Sequence, residues 1–253
     1  MRPFYLTRTE MALLLQSLKE QHSSPITIFQ QAWAKHHRHT EEIDTEDFML
    51  RTVFPPIFDK LMKEGSVSKG LSLNDIVQLG SQIEYTDMPL STVQNWVKRD
   101  VKEIIGAPRM GKKYGVNQAA LLFIVDDLKH TLDFVSIRTM LGFLFNHPDT
   151  DDDDILHPLD FYALYAGIFE ELDQNNDQLL DIGPNHAKAL HKQDHLTEEL
   201  ILRRVKKSVE QLSHMDSQQQ RKLQYALSIA IISVQTAYFR HMANSFYHAT
   251  IFI

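Results

Sequence analysis

The sequence predicts an all-α protein, and three observations predict it. Gly and Pro are scarce, nine each in 253 residues, which favours helix nearly throughout. Helix-start signals recur along the chain, among them Thr7-Arg8-Thr9-Glu10, Ser24-Pro25 and Asp216-Ser217-Gln218-Gln219. Apolar residues also return at helical spacing, as in Phe161, Leu164, Tyr165, Ile168, Phe169 and Leu172, a pattern that marks a buried stripe. With 43% apolar residues the chain has material for the core of one to two domains.

Taken in order, Thr7 to Glu10 is a capping box that opens a helix to about Gln21, and Ser24-Pro25 opens another to about His37. Helices over Thr45 to Val53 and Pro56 to Glu64 come next, separated by Pro55-Pro56, and Gly65 to Gly70 is a flexible join. These form a helical segment over 1–70. A second unit spans 71–145, and an acidic connector with a helical domain spans 146–253. From Asn146 to Asp181 there are eleven Asp/Glu and no Lys or Arg. Such a block, densest at Asp149 to Asp154, cannot rest against a nucleic-acid backbone. It reads as a solvated connector, with a cation site or an orienting negative surface as the alternatives. Helices are then expected over Leu159 to Leu172, Leu196 to Leu212 and, after the Asp216 N-cap, to about Phe246.

The stretch from Leu90 to Gln118 carries outward-facing chemistry. On a helix from Ser91 to Lys102, the residues Ser91, Gln94, Asn95, Lys98, Arg99 and Lys102 share one face, opposite Val93, Trp96, Val97 and Val101. Trp96 is assigned to the core. The Gly106 to Gly115 segment has the Gly/Pro punctuation of a tight β turn with Arg109, Lys112 and Lys113 clustered near its tip. From Ser91 through Asn117 six Lys/Arg face two Asp/Glu, in a chain of formal net charge −7. A local reversal of sign is an electrostatic footprint for an anionic partner. Gln and Asn can bond base edges while Lys and Arg neutralise phosphates, so double-stranded DNA is the expected partner; a solvated helix beside a basic hairpin is the plainer reading.

These residues resemble a known arrangement. Leu73 to Leu79, Pro89 to Lys98, Gly111-Lys112-Lys113-Tyr114, the apolar helix Gln118 to Lys129, and Leu132-Asp133-Phe134 with Ile137 to Leu141 are similar to the winged helix-turn-helix of mercury-resistance (MerR) type regulators. More closely, Val93 to Lys102, the Lys112-Lys113-Tyr114 tip and Asp126-Asp127-Leu128-Lys129 resemble a bacterial family described as domain of unknown function 1836. The resemblance implies a MerR-like winged helix-turn-helix flanked by N-terminal helices and a C-terminal helical bundle. It also implies a DNA-binding helix over Thr92 to Arg99 and a phosphate-touching wing over Arg109 to Tyr114. Gln94-Asn95-Trp96 stands where the mercury-resistance regulators place Arg-Tyr-Tyr. The function expected is sequence-specific transcriptional regulation. Gln94 and Asn95 would read bases, while Thr92, Lys98, Arg99, Lys102, Arg109, Lys112, Lys113 and Tyr114 would position the backbone. A protein-interaction module that keeps this fold without DNA is the alternative.

Other chemistries are less well provided for. Asp173, Asn175, Asp177 and Asp181 track the oxygen positions of a calcium loop, but Gln178 replaces its glycine and Pro184 its bidentate glutamate; an Asx-rich turn is the plainer reading. His36, His37 and His39 end a helix, and His191 and His195 lack the surrounding carboxylates of a zinc hydrolase. Without cysteine there are no disulfides, thiolate metal sites or Cys nucleophiles. No phosphate loop, nucleophile elbow or dinucleotide fingerprint is present, so neither an enzyme nor a cofactor is expected. The start Met-Arg-Pro-Phe-Tyr lacks a signal segment, and Tyr225 to Phe239 is too short and too polar to span a bilayer. A cytoplasmic protein is expected, dimerising through the apolar circumference of the helix over 217–246, with any small effector unread.

Overall fold

The computed structural model describes residues 5–20, 25–37, 55–64, 70–145, 154–173, 193–212 and 215–251. Helix dominates: α1 Arg8–Glu20, α2 Pro25–His37, α3 Pro56–Glu64, α4 Leu73–Gly80, α5 Leu90–Asn95 continued by a π-helical turn Trp96–Asp100, α6 Lys102–Ile105, α7 Val116–Leu128, α8 Phe134–Leu144, α9 Pro158–Leu172, α10 Gln193–Glu210 and α11 Ser217–Ile251. Among the described residues extended pairing is confined to isolated bridges, Leu6 with Ile83, Leu71 with Tyr114 and Met110 with Lys113. The all-α class is therefore correct. The helix expected over Thr45 to Val53 lies outside the described residues.

Local capping explains where several helices begin. The Thr7 hydroxyl accepts from the Glu10 amide at 3.2 Å, and the Glu10 carboxylate accepts from the Thr7 amide at 2.8 Å. Asp216 and Gln219 make the same reciprocal pair at 2.8 and 3.0 Å ahead of α11. At α4, Ser72 and Asp75 form a third box, and Lys60 of α3 adds bonds of 2.7 and 2.8 Å to the Asp75 carboxylate. Burial works against the Asp75 charge, but the Lys60 ammonium and the Ser72 donors outweigh it and hold the pKa below the usual carboxylate value.

The core is built around α7, whose residues Gln118 to Leu128 are all buried. A helix buried around its whole circumference needs neighbours on every side, and α1, α9 and α11 supply them. One continuous hydrophobic cluster runs from Leu6 through Ile76, Trp96, Phe123 and Tyr162 to Val234, so residues of all three sequence segments share it. Each fully buried apolar side chain there contributes about 1.5–3 kcal/mol.

Inside this core lies a polar knot. Arg8 bonds both oxygens of Asp127, and the Tyr165 hydroxyl donates to the same carboxylate at 2.6 Å. Desolvation opposes the charge on Arg8, but the adjacent Asp127 carboxylate outweighs it and keeps the guanidinium protonated. Arg8 also donates to the backbone oxygen of Glu84, so α1, α7, α9 and the turn after α4 are fastened at one point. α11 has 35 residues and is about 52 Å long. Its stripe Leu223, Ala226, Leu227, Ala230, Ile231, Val234 and Ala237 is buried, whereas Ile232, Phe239, Phe246, Tyr247 and Ile251 are exposed. Among the described residues no helix is long and apolar enough to cross a membrane.

Candidate nucleic-acid interface

The surface that the sequence singled out is built by α4, α5 and the hairpin beyond α6. Pro89 sits at the N-cap of α5 in extended conformation, and its oxygen accepts from Thr92 and Val93. Val93 and Trp96 are at 0% and 1% exposure. The Trp96 ring meets Phe134 edge-on at 6.2 Å, and the Lys129 ammonium lies 5.2 Å over it, a cation–π contact. With the inner face pinned, Ser91, Gln94, Asn95, Lys98 and Arg99 are all exposed. Thr92 is half-buried and, with Asn95, lines a groove shared with Arg240, His241 and Asn244 of α11. The two amides therefore differ in surroundings, because Asn95 also borders the C-terminal helix.

The single-face geometry expected from Ser91 to Lys102 requires correction. After Asn95 the helix loosens into a π-helical turn, and the Val101 amide donates five residues back to Trp96 at 3.0 Å. Val101, at φ −133° and fully buried, then breaks the rod, and Lys102 begins the separate short helix α6. An extra residue in the turn rotates the downstream side chains away from a 3.6-residue repeat. Lys102 is exposed, but it does not continue the α-helical face of Gln94. Arg99 is bonded at 2.7 Å to the Asp100 carboxylate, a contact that raises its pKa.

The hairpin after α6 is held from beneath. Met110 and Lys113 exchange backbone bonds of 3.0 and 3.1 Å, and Tyr114 exchanges bonds of 2.8 and 2.9 Å with Leu71. Gly111 at the tip has a φ of 68°, conformational territory that costs a side chain. Gly70, at φ 72°, runs so close that an added Cβ would lie 2.9 Å from both the Met110 sulfur and the Tyr114 oxygen. Gln118 fixes the base: its amide donates to the oxygens of Ile105 and Ala107 at 2.8 and 2.7 Å and accepts from the Gly115 amide at 3.0 Å. Arg109 and Lys112 are exposed and Lys113 is half-buried. Tyr114 differs from its expected role. It is 8% exposed, and burial pushes its hydroxyl pKa up, so it anchors the hairpin and does not present itself to a partner.

Residues 68–165, which include all of this surface, match the family model described as "Domain of unknown function (DUF1836)". A relative, the uncharacterized protein YkrK of Bacillus subtilis (strain 168), is 31% identical over 252 residues, covering 96% of this chain and 97% of its own. The chain belongs to the DUF1836 family. No solved structure matches it.

Four further neighbours of the surface in this DUF1836 protein, Lys129, Asp126, His130 and Tyr85, were not legible as site residues. Lys129, besides covering Trp96, pairs with Asp126 and donates to the backbone oxygen of Asp87 at 2.9 Å. Burial pushes the Asp126 carboxyl up to about 7 against the opposing pull of Lys129, and burial pushes His130 down to about 4. Tyr85 stands at φ 60°, a conformation that costs a non-glycine residue about 1–3 kcal/mol and collects at functional positions. Of the calcium-loop candidates, Asp173 is buried at the end of α9, while Asn175, Asp177 and Asp181 lie outside the described residues. So do His39 and His191, and most of the Asp149 to Asp154 run. Among the described residues no cluster of three His, Asp or Glu could hold a metal ion.

Proposed function

We propose that this DUF1836 protein is a sequence-specific DNA-binding regulator of transcription built on a MerR-like winged helix-turn-helix. The observation that carries the reading is the exposure of Gln94 and Asn95 on a helix whose opposite face, Val93 and Trp96, is locked into the core. A rigidly seated short helix offering two amides followed by Lys98 and Arg99 has the chemistry of base contacts flanked by phosphate contacts. The α4–α5 pair, the hairpin and α7 supply the order of elements that a winged unit needs. Arg109, Lys112 and Lys113 are its phosphate-binding tip, with Tyr114 as the support beneath. The exposed apolar side of α11 provides a surface for a homodimer that would read paired half-sites.

The test is fluorescence anisotropy of the full-length protein on genomic duplex fragments across a salt series. The reading expects tight binding to a subset of fragments and a steep loss of affinity with salt. Absence of binding to every fragment at low salt would overturn it. The second reading, a non-catalytic protein-interaction module, draws on Phe239, Phe246, Tyr247 and Ile251, which are exposed along one helix end and suit a protein partner better than a nucleic acid.

A further inference from the structure

A groove of about 460 Å³, separate from the one beside Asn95, opens between α8 and α11, a volume within the range of small-molecule sites. Its lining includes the buried Leu144 and Ala226 and the half-buried Met140 and Ile229. Its edges are Val135, Phe143 and Tyr225, at 62%, 52% and 66% exposure, so the apolar lining is open to whatever enters. Large apolar side chains gathered in one place mark a binding surface, as scattered single ones do not. The two helices run antiparallel, because the Thr131 and Ser233 hydroxyls bond at one end and Lys222 meets Phe143 at the other. Val135 and Phe143 lie about 12 Å apart along the axis of α8. The groove is therefore elongated, with its apolar walls running lengthwise.

Charge fixes the polar end of the ligand. Among the described residues Lys222 is the one charged member of the lining. Its ammonium lies 5.1 Å from the centre of the Phe143 ring, and among the described residues no carboxylate pairs with it. An ammonium brings three donors, and this one is half-buried at one end of an apolar groove. The hydroxyls of Ser136 and Thr139 are already committed, the first to the Asp133 carboxylate and the second to the Val135 oxygen. The groove thus asks for one negative group joined to a long apolar body. We infer that it binds a small amphiphile with a single carboxylate, of medium-chain fatty-acid type, its head on Lys222 and its chain laid between α8 and α11 toward Leu132. The opposite face of α8 carries Phe134, packed on Trp96, and Arg138, which donates to the Asp100 oxygen. A chain seated between α8 and α11 therefore bears on the π-helical turn through α8. An effect on DNA affinity would result, and that consequence alone rests on the DNA-binding reading.

The experiment is calorimetric titration of the full-length protein, without DNA, using decanoate as the probe, acetate as the head alone and decylammonium as the chain with the opposite charge. Decanoate is expected to saturate and the two controls are not. Lys222→Met, which keeps the length of the stem and removes the charge, is expected to weaken decanoate about tenfold or more. Thr139→Trp, at an exposed position in the lining, fills the groove and is expected to abolish saturation. Thermal midpoints near that of the natural protein show that both variants fold. No saturation by decanoate up to about 1 mM, equal binding of decylammonium, indifference to Lys222→Met, or undiminished binding by a folded Thr139→Trp overturns the inference. Because no DNA is present, failure of the regulator reading leaves this result standing, and the reverse also holds.

Discussion

Arg8 and Asp127, 119 residues apart in sequence, meet side on in the core, with Nη2 of one 2.7 Å from Oδ1 of the other and 5% and 4% of their side chains exposed. Such a pair gains little over apolar packing, but breaking it strands a buried charge at a cost of about 3–5 kcal/mol. Arg8→Ala and Asp127→Asn are each expected to lower stability by that order in urea denaturation. In a double-mutant cycle the two losses will fall well short of additivity. Additive losses would show that the two residues act separately.

At α5 the inner and outer residues should respond oppositely. Trp96→Ala removes a fully buried indole and is expected to cost about 3–5 kcal/mol of stability. Gln94→Ala and Asn95→Ala, both exposed, should change stability by about 0.5 kcal/mol or less. If the regulator reading holds, each also removes about 1–3 kcal/mol of discrimination at one base pair and leaves non-specific binding nearly unchanged. Equal losses on specific and random duplexes would assign the two amides to the backbone.

At the hairpin tip, Lys112→Glu is expected to weaken binding to all duplexes alike and to reduce the salt slope by about 1. Its melting temperature should match that of the natural protein, since Lys112 is exposed. Tyr114→Ala should behave in the opposite way. It removes the support under the hairpin and lowers stability first. A Tyr114→Phe protein that retains full stability and affinity would confirm that the ring, and not the hydroxyl, is what matters.

Asp126 and His130 predict a pH effect that is hidden in the natural protein. Asp126 is raised from 3.8 to about 7, so its ionisation penalises the folded state and its contribution falls as pH rises from about 4 to about 7. His130 is lowered from 6.5 to about 4, so the unfolded chain binds the extra proton and its contribution rises over about pH 4 to 6.5. The two slopes oppose each other. Asp126→Asn removes the falling one, so the variant-minus-natural difference in unfolding free energy should climb through this window, by at most about 1.4 kcal/mol per pH unit. His130→Leu should give a difference of the opposite slope. Flat differences for both would place the two titrations elsewhere.

On α11, Phe246 and Tyr247 are 67% and 64% exposed. Light scattering at micromolar concentration is expected to return twice the 29.3 kDa of the chain, and Phe246→Asp to return one copy. A monomer for the natural protein would remove the dimer from the proposal.

Much of the fold could be read from the sequence because its signals are local. The Thr7–Glu10 and Asp216–Gln219 boxes use side chains three residues apart, and Pro56 opens α3 where its missing amide costs nothing. The exposure of the amide pair was legible too, since periodicity placed Val93 and Trp96 on the other face. The features that could not be read depended on distant partners. The turn of Tyr114 inward is imposed by its backbone pairing with Leu71. The three bonds of Gln118 and the partners of Asp127 exist only once other helices arrive. The groove beside Asn95 required α11 to run past α5, and no spacing within either segment announces that meeting.

The loosened turn from Trp96 to Asp100 makes length, more than composition, the variable that aims everything after it. Removing a single residue between them would restore ordinary winding and swing the downstream backbone by about 100° around the rod, with no other letter altered. Kin that carry a one-residue gap at this spot are thus expected to display a differently pointed surface despite near-identical spelling, and alignments that slide freely across it would compare side chains that never occupy the same place.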